Sequence, residues 1–101
     1  MELTGKQKRF LRSLANTFKP IVAIGKEGIN EGVLIDINNY ITKHELMKVH
    51  VLQNCMETLD EVAFALEEEG YTIVQKIGST LLLYRPNPKL KDGIILPWDF
   101  C

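Results

Sequence analysis

The chain has 101 residues, of which 46% are hydrophobic and 25% are charged; this balance predicts one globular domain and excludes a disordered chain. Its formal net charge of −1 at pH 7 excludes a uniformly basic protein. No apolar run approaches the roughly 20 residues that span a bilayer, so we expect a cytoplasmic protein without a membrane segment. Cys55 and Cys101 belong to no CxxC pair or zinc-ligand spacing, and we expect no metal, disulfide or other cofactor.

The charged residues are distributed unevenly along the chain. Residues 1–26 contain six basic residues and one acidic residue. Residues 27–69 contain ten acidic and two basic residues, and residues 70–91 contain four basic residues with no acidic one. Because a polyanion responds to the local potential, one basic face is enough to bind it even when the net charge is near zero.

The first predicted element is a helix over residues 5–17. Thr4 and Gln7 have the spacing of a capping box at its start. One side of this helix is basic, and the other is predicted to pack through apolar residues at helical spacing, namely Phe10, Leu11, Leu14 and Phe18.

A strand over residues 21–24, a glycine loop and a second helix follow. Pro20 ends the preceding segment, and the short apolar run after it is typical of a buried strand. The loop has the sequence Gly25-Lys26-Glu27-Gly28. Asn30 is a suitable N-cap for a helix that extends to about Thr42.

The second half of the chain predicts a strand over residues 46–52, a helix from near Asn54 to Glu69, and strands over residues 71–77 and 80–84. Gly78-Ser79 suits a tight hairpin turn between the last two strands. The predicted fold class is α/β, in the order α-β-α-β-α-β-β, with a mixed four-stranded sheet packed by helices. Residues 1–86 form the predicted domain and residues 87–101 a C-terminal tail.

The glycine loop is the most informative local feature. It joins a strand to the start of a helix, where backbone N–H groups and the absence of Cβ atoms allow a phosphodiester backbone to approach. A plain turn is the alternative interpretation, because GxxG sequences are common.

Four ordered segments resemble the YhbY or CRM-domain family of RNA-binding proteins. They are residues 6–15 with Lys19-Pro20, residues 22–29, residues 44–49 and residues 77–86. The resemblance implies a fold similar to the C-terminal domain of bacterial translation initiation factor three. It also implies a protein that binds ribosomal RNA in precursors of the large ribosomal subunit. We expect a non-enzymatic monomer that takes no small-molecule substrate.

The resemblance further implies an RNA-binding surface made by the glycine loop and the first helix. The residues that match are Gly25, Lys26 and Gly28 in the loop and Lys6, Lys8, Arg9 and Arg12 on the helix. Lys48, Lys76 and Arg85 are predicted to extend this surface, although cations at strand ends also serve to protect sheet edges. Glu27 departs from the expected pattern, and its carboxylate would repel a phosphate unless it points away or hydrogen-bonds a base or a 2′-hydroxyl.

Two other functional classes have less support in the sequence. A protein-interaction adaptor could use the acidic third helix or the tail that contains Trp98. An enzyme is not expected, because no Walker motif or catalytic constellation is present. We assign structural roles to His44 and His50, with His44 at the end of the second helix.

Overall fold

The computed structural model of the protein describes residues 3–87 and residue 89. The helices are α1 (Gly5–Leu14), which continues as a 3-10 turn (Ala15–Thr17), α2 (Glu31–His44) and α3 (Leu59–Glu68). The strands are β1 (Val22–Ile24), β2 (Leu46–Val51), β3 (Thr72–Ile77) and β4 (Thr80–Tyr84). The predicted α/β class and element order are confirmed. Of the predicted tail only Asn87 and Lys89 are described, so Trp98 lies outside the described residues.

The four strands form one mixed sheet in the order β1-β2-β4-β3. β1 pairs with β2 in parallel, while β4 is antiparallel to both of its neighbours. The predicted hairpin between β3 and β4 is present, and Gly78 adopts a positive φ in its turn. β1 and β3 are therefore the edge strands.

Each face of the sheet carries its own apolar core, because alternate residues of a strand point to opposite faces. One face packs against α2 and α3 through a cluster that includes Met47, Val49 and Leu83. The other face packs against α1 through Leu46, Leu82 and other residues. The sheet thus separates an α1 layer from an α2/α3 layer.

The first helix begins as predicted but buries a different set of side chains. Thr4 and Gln7 form the capping box, with the Gln7 N–H donating to Thr4 Oγ1 at 3.1 Å. The prediction that Leu14 and Phe18 pack inward is wrong, since their side chains are 39% and 40% exposed, and Ala15 is buried instead. Ala15 lies four residues after the buried Leu11, on the same side of the helix, and both pack in the cluster against the sheet.

The third helix begins later than the predicted start near Asn54. Thr58 and Glu61 form a second capping box, in which the Glu61 N–H donates to Thr58 Oγ1 and the Thr58 N–H donates to Glu61 Oε1. This reciprocal pair satisfies the backbone at the helix start, so the segment before it is free to form a loop. Glu57 lies in that loop.

The residue that caps the end of the second helix is Glu45, which has the left-handed φ of 64° that usually favours glycine. The Glu45 side chain is almost fully buried, and its carboxylate accepts the Asn87 N–H at 2.6 Å. The Arg85 N–H donates to the Glu45 carbonyl at 2.9 Å. Through these two hydrogen bonds, the segment that follows β4 is held against the C-terminal end of α2. His44 is the last residue of α2, as predicted.

Candidate nucleic-acid interface

Basic side chains and no acidic ones lie on α1 and on the segment that follows it. Residues 3–24 contain five cations, which are Lys6, Lys8, Arg9, Arg12 and Lys19. Among the described residues, Lys8, Arg9 and Arg12 have no carboxylate partner, and all three are exposed. Lys6 already interacts with another group of the protein. The exposed side of α1 therefore carries uncompensated positive charge.

Lys48 extends this positive charge onto the sheet. It pairs in register with Leu82, whose side chain contacts α1, so Lys48 lies on the same face. Its ammonium donates to the Phe18 carbonyl at 3.3 Å, at the place where the chain passes from the 3-10 turn toward β1. This contact holds the Lys48 charge beside the end of α1.

The ten acidic residues of the described chain all lie elsewhere. Each belongs to α2, to α3, or to a loop or cap that adjoins one of these helices: Glu27, Glu31, Asp36, Glu45, Glu57, Asp60, Glu61, Glu67, Glu68 and Glu69. The sheet face that carries Lys48 has no carboxylate in the described chain. Lys8 and Glu67 of α3 line the same depression beside the start of β3.

Lys76, which was predicted to extend the basic surface, faces the opposite layer. Its ammonium forms an ion pair with the Asp60 carboxylate on α3 at 2.8 Å. The hydrogen bond and the positive charge of Lys76 lower the pKa of Asp60, and the same contact raises the pKa of Lys76. The structure therefore does not bring Lys76 together with the cations of α1.

Arg85 also lies apart from the α1 cations. Its guanidinium donates hydrogen bonds to Asn38 Oδ1 and, at 3.3 Å, to Thr42 Oγ1 on α2. It also lies 4.8 Å from the centre of the Tyr71 ring. Burial raises the pKa of the Tyr71 hydroxyl, and the positive charge of Arg85 opposes that shift. In this arrangement Arg85 connects the end of β4 to α2.

The glycine loop has fewer available N–H donors than its sequence suggests. The Gly28 N–H donates to the Gly25 carbonyl at 2.9 Å, and the Ile29 N–H donates to Glu57 Oε1 at 2.8 Å. Within residues 3–87, the amides of Lys26 and Glu27 have no acceptor from the protein. The loop thus presents these two amides and the Lys26 side chain to a ligand.

Glu27 does not fold over the loop. Its Oε2 accepts a hydrogen bond of 3.4 Å from the Asn30 side chain, the N-cap of α2. The carboxylate is therefore drawn toward the helix start. The second carboxylate at the loop, Glu57, was missed by sequence reasoning. The Thr58-x-x-Glu61 capping box was the available signal, since it places residue 57 just outside α3.

Two possible sites of other kinds have little support in the described chain. No group of three or more His, Cys, Asp or Glu side chains there is arranged to hold a metal ion. None of the helices in residues 3–87 is both long and apolar enough to cross a bilayer. Cys55 is a free, half-buried thiol.

Comparison with known proteins decides the family. The model of the CRS1/YhbY (CRM) domain matches residues 3–85. The chain belongs to this family. The resemblance inferred from four sequence segments is thus confirmed, and the matched region contains α1, the glycine loop and all four strands of the CRM domain.

Relatives of this CRM domain come from several organisms. The chain is 46% identical over 91 residues to the Probable RNA-binding protein YqeI of Bacillus subtilis, covering 89% of this chain and 95% of the relative. It is 42% identical over 90 residues to an RNA-binding protein of Haemophilus influenzae, covering 88% and 91% of the two chains. The solution structure of SAV1595 from Staphylococcus aureus has a TM-score of 0.77 and 47% identity, covering 95% of this chain and all of that one.

Proposed function

We propose that this CRM domain binds structured RNA through the α1 layer and acts by binding alone, without catalysing a reaction. The observation that carries the proposal is the separation of charge across the sheet. Cations without carboxylate partners lie on α1, whereas the acidic residues of the described chain lie in or beside the α2/α3 layer. Relatives named as RNA-binding proteins give this cationic surface an expected ligand.

The proposed contact surface consists of Lys8, Arg9 and Arg12 on α1, Lys48 on the sheet, and the glycine loop. We call these residues the cationic surface. Its loop members are Gly25, Lys26 and the buried Gly28, which shapes the turn, and Lys6 lies at its margin. Phosphate oxygens would accept hydrogen bonds from the guanidinium and ammonium groups. Counterions would be released on binding, so the affinity should fall steeply as the salt concentration rises.

The RNA that we propose is ribosomal RNA in precursors of the large ribosomal subunit, bound by a monomer in the cytoplasm. The ribosomal assignment rests on the family resemblance, and the cationic surface would provide the contacts to the RNA. Lys76 and Arg85 are assigned to the α2/α3 layer, where they have partners within the protein.

Gradient sedimentation of a cell lysate tests the ribosomal assignment. We expect the protein to sediment with large-subunit precursors at low salt and to move to the top fractions at high salt, because the attachment is electrostatic. A protein found only in the top fractions at low salt would contradict the ribosomal assignment. Binding of purified protein to structured RNA, measured over a range of salt concentrations, then tests RNA binding separately.

A further inference from the structure

A row of four side chains crosses the sheet at the end that α1 leaves uncovered. Ala23 pairs in register with His50, His50 with Thr80, and Thr80 with Ile77, one residue from each strand. His50 lies two residues after Lys48 on β2, so the row is on the α1 side of the sheet. With strands about 4.8 Å apart, the row is about 14 Å long. We call it the sheet row.

The sheet row is accessible and lies between two parts of the cationic surface. Ala23 is exposed, His50 and Thr80 are half-buried, and Ile77 is 51% exposed. Gly25 begins the glycine loop two residues after Ala23, and Lys48 occupies the next position on this face of β2. An RNA that contacts both the loop and α1 must therefore pass over the sheet row.

The chemistry of the sheet row differs from that of its surroundings. It contains no ammonium, guanidinium or carboxylate group, so it offers little to a phosphate. It offers a flat imidazole, whose Nδ1 lies 3.4 Å from Thr80 Oγ1, together with the apolar surfaces of Ala23 and Ile77. Unpaired bases stack on aromatic side chains, histidine included, and such contacts are available to every base.

We infer that the sheet row binds unpaired bases of the RNA, with the His50 imidazole as the stacking surface. This inference rests on the proposed RNA-binding function and adds a class of ligand to it: an RNA with single-stranded nucleotides next to a helical region. The cations of α1 hold the phosphates, and the sheet row distinguishes unpaired from paired nucleotides.

The test compares a blunt RNA duplex with the same duplex carrying a single-stranded extension. His50→Ala should weaken binding of the extended RNA at least about 5-fold, the lower end for one base stacked on an aromatic side chain. Binding of the blunt duplex should change less than about 2-fold, and the salt dependence should stay the same because no charge contact with phosphate is removed. His50→Phe should restore binding of the extended RNA, since a phenyl ring keeps the stacking surface.

His44→Ala is the matched control, because His44 is exposed on α2, in the opposite layer, where it stacks on Tyr40 at 4.1 Å between ring centres. The affinity of this variant for each of the two RNAs should equal that of the native protein. Equal binding of the extended RNA by the native protein and the His50→Ala variant would overturn the inference while leaving the cationic surface intact. Equal weakening for both RNAs, with a flatter salt dependence, would also overturn it, because His50 would then contact phosphate.

Discussion

Replacing Lys8, Arg9 and Arg12 together by alanine is expected to lower the affinity for structured RNA about 100-fold. A hydrogen bond between charged groups contributes on the order of 1 kcal/mol or more, and three such contacts would be lost. The slope of log affinity against log salt should flatten by about 2 to 3 units, because roughly one counterion is released for each phosphate contact. The measurement is a salt titration of RNA binding by fluorescence anisotropy, with circular dichroism to confirm that the variant is folded.

The control for this variant removes the same number of charges from the opposite layer. Lys43, Lys76 and Lys89 are exposed cations of the described chain outside the proposed surface, and their joint replacement by alanine should change RNA affinity less than about 3-fold. If both triple variants lose affinity equally, binding follows net charge and the proposed surface is wrong. If the α1 variant binds RNA as tightly as the native protein, the phosphate contacts lie elsewhere.

Replacing Gly28 by alanine is expected to lower the free energy of unfolding by about 2 to 4 kcal/mol, a large effect for one methyl group. Gly28 has a φ of +68°, and a Cβ atom at this position would clash with Glu57 Oε1. The positive φ alone costs about 1 to 2 kcal/mol for a residue with a side chain. The remaining cost arises because the Glu57 carboxylate must leave the Ile29 N–H. Urea denaturation followed by circular dichroism measures the change.

Two comparisons separate the causes of this loss. Gly70 has a φ of +96° with no atom within 4 Å of the position of a Cβ, so Gly70→Ala should show the backbone cost without the steric one. In a Glu57→Ala background, Gly28→Ala should cost no more than Gly70→Ala, because the obstructing carboxylate is gone. Equal costs for Gly28→Ala and Gly70→Ala in the native background would show that the contact with Glu57 is easily relieved.

Gly28 consequently has a structural role in the glycine loop, apart from the proposed contact with RNA. The sequence pattern suggested that Gly28 lacks a side chain so that a phosphate can approach. In the structure, the space beside Gly28 is filled by the Glu57 carboxylate, which also accepts a hydrogen bond from the Ile29 N–H. Whether this loop binds RNA is thus a separate question from why it contains glycine.

Much of the fold could be predicted from local sequence patterns. The capping residues Thr4 and Asn30 marked helix starts, and Gly78-Ser79 marked the hairpin turn between β3 and β4. The start of α3 was placed too early, although Thr58 and Glu61 have the same capping-box spacing as Thr4 and Gln7. The left-handed end of α2 at Glu45 had no local signal, since its carboxylate is held by Asn87, far along the chain.

The position of Lys76 shows why the site was harder to predict than the fold. Simple alternation from Val74, which packs with α1, would place Lys76 on the α1 face. An irregularity between Ile73 and Gln75 inserts one extra residue into β3, and Lys76 therefore pairs with Leu81 and faces α3. A one-residue change of register reverses every later side chain of a strand, and nothing in the local sequence marks where it occurs.

The layered arrangement of charge gives the molecule an electric dipole moment directed across the sheet. In the field of a polyanion, such a moment rotates the diffusing protein so that α1 arrives first, which increases the fraction of collisions that are productive. A net charge near zero therefore need not slow association. After docking, the acidic layer would face outward and repel a second RNA strand, so each molecule would hold a single RNA segment.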